Sequence, residues 1–163
     1  MVSPGVAMPK AKPTLQGSQG SYTASVVVNT PPQRAWQVLT DYEGLVGVLP
    51  DIKQAKVLSR QGNRLELAHT YQAPYTFGLR IKARLAITEN PPRSMGYRLI
   101  SGDRIKGLQG TWTITPIPGA VRLQHRILLD PDLPDFLRPA YFELSESNLL
   151  QSMEILRDRM EQR

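Results

Sequence analysis

The sequence predicts an α+β domain: one seven-stranded antiparallel sheet and a long C-terminal helix, in the order β-α-α-β-β-β-β-β-β-α. Three observations carry this. Between residues 52 and 129, apolar and polar residues alternate in runs separated by Gly, Pro and Asn clusters, the pattern of hairpin-linked strands. Ahead of them, "VVVNTPPQRAWQVLTDYEGL", from Val26 to Leu45, passes from β-branched alternation to helical spacing at two prolines. After Pro139, no Gly or Pro interrupts the chain as far as Gln162.

The 163 residues suffice for one domain with a real core. With 40% hydrophobic and 21% charged residues, the composition is that of an ordinary globular protein. No apolar run approaches the ~20 residues that span a bilayer. The chain has no cysteine, which excludes disulfides, thiol catalysis and thiolate metal sites and fits a reducing, cytoplasmic setting. The net charge of +6 is unevenly spread: residues 52–126 carry 13 Lys/Arg against 3 acids, and residues 127–163 carry 4 against 8.

Residues 1–20 hold three prolines and three glycines, with no acid and no aromatic. That composition predicts a disordered tail or leader, with the domain over residues 21–163. It lacks the apolar core of a secretory signal. Tyr22–Asn29 is the first strand and Pro31–Leu39 the first helix. Thr30 is placed to cap that helix, Gln33 to complete a capping box, and Pro31 suits its first turn. Thr40 or Asp41 can cap a second short helix through Tyr42–Val48, which Pro50 helps to end. Strands follow at Ile52–Ser59, Arg64–Tyr71, Thr76–Thr88, Ser94–Ser101, Ile105–Thr115 and Val121–Leu129. The final helix, Pro139 to about Gln162, is long enough to lie across a whole sheet.

Alternation assigns the faces. Phe77, Leu79, Ile81, Ala83, Leu85 and Ile87 share one side of the long strand, with Arg80, Lys82 and Arg84 on the other. The last strand repeats this, with Val121, Leu123, His125, Ile127 and Leu129 against Arg122, Gln124 and Arg126. The basic excess is therefore largely the outer face of the sheet. It is either a solvated surface or a contact for an anionic membrane or nucleic acid.

Both histidines fall on apolar faces: His69 with Leu65, Leu67 and Tyr71, and His125 with Leu123 and Ile127. An unpaired buried polar group costs about 1–3 kcal/mol, so each needs a partner or a wet cavity. They are either separately satisfied core residues or the lining of a ligand pocket; two histidines without a carboxylate beside them make a thin metal-ligand set. On the terminal helix, Phe142, Leu149, Met153, Leu156 and Met160 keep helical spacing, but "SESN", Ser145 to Asn148, interrupts the stripe with polar groups. Trp112 shares a face with Ile114, and Tyr97 with Met95 and Leu99. Such groups suit a core or the walls of an apolar pocket. No phosphate-binding glycine loop, nucleophile elbow or His-Glu-x-x-His motif is present, and carboxylates in the sheet are limited to Glu66, Glu89 and Asp103.

This element order, with "TPPQRAWQVLTDYEGLVGVLPDI" after the first strand, resembles the START-like (SRPBCC) helix-grip superfamily, in particular its polyketide cyclase/dehydrase and coenzyme Q-binding branch. The matching features are Pro31 at the helix entry, Trp36 in the first helix, Leu39-Thr40-Asp41-Tyr42, and Leu49-Pro50. They extend the likeness over about residues 21–162. The resemblance implies a curved sheet wrapped around the long helix, a cavity between them, and two short helices plugging one end. It implies a hydrophobic ligand such as a lipid, quinone, isoprenoid or polyketide, cyclase or dehydratase activity in some members, and ribosome association in a related branch. It transfers no catalytic residue, cofactor or metal.

Three readings follow. In the first, the protein binds or carries a small hydrophobic molecule. The strands then contribute His69, Tyr71, Leu79, Ile81, Tyr97, Trp112 and His125 to its pocket. Phe142, Leu149 and Met153 contribute from the helix. In the second, His69 or His125 acts with Tyr71 or Tyr97 as an acid–base pair of a cyclase or dehydratase, which requires hydrogen-bond reach between them. In the third, Arg80, Lys82, Arg84, Arg122 and Arg126 dock a ribosome or an anionic membrane.

Overall fold

The computed structural model describes residues 10–72 and 80–162. One antiparallel sheet contains β1 (Thr14–Ser18), β2 (Ser21–Val28), β3 (Ile52–Gln61), β4 (Arg64–Gln72), β5 (Arg80–Asn90), β6 (Ser94–Gly102), β7 (Ile105–Ile117) and β8 (Ala120–Pro131). Their order across the sheet is β1-β2-β8-β7-β6-β5-β4-β3. Strands β3 to β8 thus form a meander, and β2 closes onto its far end. Two helices accompany them, α1 (Pro32–Leu39) and α2 (Arg138–Glu161).

The sheet has eight strands where the sequence predicts seven. The added strand, β1, lies in the segment expected to be a tail. It pairs with β2 from Thr14 opposite Ser25 to Ser18 opposite Ser21. Gln19 and Gly20 make the turn with positive φ, and a Cβ on Gly17, at φ 108°, would sit 2.0 Å from the Ser21 carbonyl oxygen. An edge strand needs only backbone bonds on one side and a single apolar anchor, here the half-buried Leu15. Composition averaged over twenty residues hides so small a requirement. The segment before it is also tied down: Lys10 pairs with Asp158 at 2.9 Å, and the Arg157 guanidinium donates to the Ala11 carbonyl. The expected strand Thr76–Thr88 lies partly outside the described residues; its described part starts at Arg80 and continues to Asn90.

Helix α1 starts after Pro31, as the prolines require, but Thr30 does not cap it and no side chain closes a capping box. The buried Thr30 hydroxyl instead donates to the Met160 carbonyl at 3.0 Å, and the Asn29 N–H donates to Glu161 at 2.8 Å. The last carbonyls of a helix have no partner within it, and the Thr30 hydroxyl supplies a donor to one of them, while the Glu161 carboxylate takes the Asn29 N–H. The second short helix is a single 3₁₀ turn, Gly44–Gly47. Two glycines and Pro50 leave too little helix-forming sequence for more. Asp41 does serve its start, accepting from the Gly44 N–H at 3.3 Å.

Face assignments along β5 and β8 match the alternation. Ala83, Leu85 and Ile87 are buried, as are Val121, Leu123, His125 and Ile127, while Arg80, Lys82, Arg84, Arg122 and Arg126 are exposed. Arg84 pairs with Glu66 on the outer face. Helix α2 packs against β2 and β1. Met153 and Leu156, at 0% exposure, form the centre of that contact with Val28, Val121 and Leu123 in the same core. Leu156→Ala is expected to destabilise the fold by about 2–5 kcal/mol in chemical denaturation, because so enclosed a site cannot collapse fully.

Candidate functional site

Between α2 and the inner face of the sheet lies a cavity of about 270 Å³. Seven of the sequence-predicted residues stand on its wall: His69 and Tyr71 from β4, Ile81 from β5, Tyr97 from β6, Trp112 from β7, His125 from β8 and Leu149 from α2. Leu79 lies outside the described residues. Phe142 and Met153 are not on the wall. The Phe142 ring packs near Gly20, edge-on to Tyr141 and under the Arg138 guanidinium, and Met153 is sealed in the core.

Helix geometry explains the difference. Consecutive residues are rotated by ~100°, so the buried stripe through Phe142, Met153 and Met160 faces β2 and β1, with Leu156 at its border touching both the core and the cavity. The neighbouring stripe, Tyr141, Ser145, Asn148 and Ser152, faces the cavity. The polar interruption in the helix is thus a cavity wall. Ser145 belongs to it, with its hydroxyl donating to the Tyr141 carbonyl at 2.9 Å. Glu146 does not; it accepts from the Tyr22 hydroxyl at 2.8 Å.

The two histidines have different surroundings, with three strands between them in the sheet. The His125 ring stacks on Trp112, centroids 3.9 Å apart and planes within 8°, and its Nε2 lies 2.6 Å from the Tyr97 hydroxyl. Tyr97 and His125 are on β6 and β8, and Gly110 on β7 lies between them. A Cβ there would come within 2.4 Å of the Tyr97 oxygen. The glycine therefore lets the phenol lie across β7 and reach the imidazole. Burial pushes the Tyr97 hydroxyl well above its ordinary pKa and lowers His125 to about 3. The phenol accordingly keeps its proton and the imidazole stays neutral at pH 7, and the two share one hydrogen bond through Nε2. His69 meets Tyr71 edge-on at 4.4 Å, a ring contact and not a hydrogen bond. Its Nδ1 is enclosed without a partner, and burial lowers its pKa to about 4.

Where the 3₁₀ turn meets the sheet, Tyr42 and Asp51 also reach the cavity. The Tyr42 hydroxyl donates to Glu89 at 2.5 Å, and Arg60 donates to the same carboxylate at 2.8 Å. Burial alone would raise the Glu89 pKa, but these hydrogen bonds and the Arg60 charge hold it below the usual carboxylate range. This cluster fixes the turn to β3 and β5. Sequence reading missed Gly110, Tyr141, Asn148 and Ser152. A glycine inside a strand signals close approach of another group, and the three helix polar residues share one face at successive spacings of seven and four.

Such an architecture, a curled antiparallel sheet holding one long helix over an internal cavity, defines the START-like helix-grip class. The family model described as polyketide cyclase/dehydrase and lipid transport matches residues 19–161, and the chain belongs to that family. Solved structures agree on the fold. A START superfamily protein from Mycobacterium smegmatis superposes with a TM-score of 0.72 at 19% identity, over 85% of this chain and 95% of that one. A STAR-related lipid transfer protein from Xanthomonas axonopodis gives 0.74 at 14%, over 97% of each chain. The Zhui aromatase/cyclase from Streptomyces sp. R1128 gives 0.67 at 14%, over 93% and 94%. No protein of curated function matches the sequence significantly. Among the described residues, no helix is long and apolar enough to cross a membrane.

Two predictions follow from this geometry. Gly110→Ala should displace the Tyr97 ring, destabilise the fold by about 1–3 kcal/mol, and remove the hydrogen-bond signature at His125 Nε2 in ¹⁵N NMR. Both histidines are neutral in the fold but have a pKa near 6.5 when unfolded, so below that pH the unfolded state binds more protons. Stability should be fully present above pH 6.5 and fall as pH drops. The slope should approach ~3 kcal/mol per unit around pH 5 in urea titrations and roughly halve in His125→Phe.

Proposed function

We propose that the protein binds one small hydrophobic molecule in this cavity and acts as its carrier or receptor. The observation that supports this most directly is the wall itself: apolar side chains from β3 to β8 and from α2, interrupted by a few hydrogen-bonding groups. Enclosed apolar space with sparse polar groups is the usual composition of a small-molecule site. The volume lies near the lower end of the ~300–1,000 Å³ common for such sites, which favours a ring system or a single short chain over a two-tailed lipid. Quinones, isoprenoids and polyketide-like molecules of that size fit the description. The lipid transfer protein and the aromatase/cyclase among the structural neighbours lend support at the level of ligand class.

A cyclase or dehydratase is the second reading, and the Tyr97–His125 contact favours it. A phenol and an imidazole 2.6 Å apart on the cavity wall have the reach that acid–base catalysis needs. His69 and Tyr71 meet only as an edge-on ring contact, so they are the weaker pair.

The test is extraction of the natively purified protein with organic solvent, followed by mass spectrometry. The expected result is one hydrophobic compound near unit stoichiometry, absent from a folded Leu149→Arg variant. A compound recovered equally from both proteins would remove the cavity from consideration. Conversion of the recovered compound on incubation with fresh protein would favour the enzymatic reading.

A further inference from the structure

We infer that the cavity selects an uncharged ligand, one whose polar end is a ketone, ester or hydroxyl, and rejects carboxylates and phosphates. This rests on the ligand-binding reading above and specifies its chemistry. Among the described residues no lysine or arginine lines the cavity. Residues 73–79, which the structure does not describe, contain neither residue type. Among the described residues, the only charged side chain on the wall is a carboxylate, Asp51.

The other titratable groups on the wall supply no positive charge at neutral pH. His69 and His125 are neutral there, because burial disfavours their protonated forms. Tyr71, Tyr97 and Tyr141 keep their protons for the same reason. Tyr42 is occupied with Glu89. A carboxylate moved into this space would lose its water and meet no counter-charge, and Asp51 would repel it. A carbonyl or hydroxyl needs only one hydrogen bond, and Ser145, Asn148 and Ser152 place such groups along one stripe of α2.

The basic residues do not alter this. Arg80, Lys82, Arg84, Arg122 and Arg126 stand on the opposite face, with the sheet between them and the cavity. They would draw an anion to the outside of the molecule.

The measurement is calorimetric titration at pH 7.5 in 0.15 M salt with 2-acetylnaphthalene and 2-naphthoate, which differ by a methyl group in place of a carboxylate oxygen. The ketone should bind at one site, and naphthoate at least tenfold more weakly. Naphthoate should fail to displace the ketone even if it binds the outer face. Asn148→Lys should raise naphthoate affinity at least tenfold. If naphthoate competes as well as the ketone binds, the inference is wrong while the binding reading stands. If neither probe binds and solvent extraction also yields nothing, both fail together. The wild-type comparison decides the matter even if Asn148→Lys does not fold.

Discussion

One helix cannot cover eight strands. At ~1.5 Å per residue and ~10 Å across, the 24-residue α2 is long but narrow. Eight strands spaced ~4.8 Å apart present an inner face some 34 Å wide. The helix meets this mismatch by packing closely against β2 and β1 and leaving the other strands to curl around it at a distance. The cavity is the remainder of that geometry. Its walls are the inner faces of β3 to β8, and its roof is the side of α2 that points away from the tight contact.

Burial imposes a second demand, because polar groups on these walls must find partners. The Tyr97–His125–Trp112 assembly is internally satisfied by one hydrogen bond and one stacked pair, made possible where Gly110 removes a side chain from β7. His69 keeps an enclosed nitrogen without a protein partner. One wall is therefore preorganised and the other carries unspent hydrogen-bonding capacity. At the plug end, the Tyr42–Glu89–Arg60 cluster closes the sheet with a buried carboxylate held by two donors.

Much of this was legible in the sequence because period-two and period-3.6 patterns report burial directly. The strands β3 to β8 to within about two residues, apart from the start of β5, the start of α1 at the prolines and the extent of α2 follow from local signals. Strand β1 was not legible, since its order comes from pairing with β2 and from anchors on α2, more than a hundred residues away. Thr30 shows the same limit: its sequence context is that of a cap, but its hydroxyl is oriented by donating to the Met160 carbonyl of a distant helix terminus. For the site, strand alternation put both histidines, Tyr97 and Trp112 on the correct wall. On α2 the helical pattern placed Leu149 on the wall but misassigned Phe142 and Met153, which belong to the core, and passed over Tyr141, Asn148 and Ser152, which line the cavity. Apolar periodicity finds the face that packs; it does not find the face beside it that lines a space.

That division of α2 into two stripes has an evolutionary consequence. The residues that hold the helix in place, Met153, Leu156 and Met160, are not those that present hydrogen-bonding groups to the cavity. Substitutions at Ser145, Asn148 or Ser152 can change what the cavity accepts without removing a core contact. A lineage built on this helix can therefore diverge in chemistry while its scaffold stays under constant selection. Chains sharing less than a fifth of their residues can then still superpose along nearly their whole length.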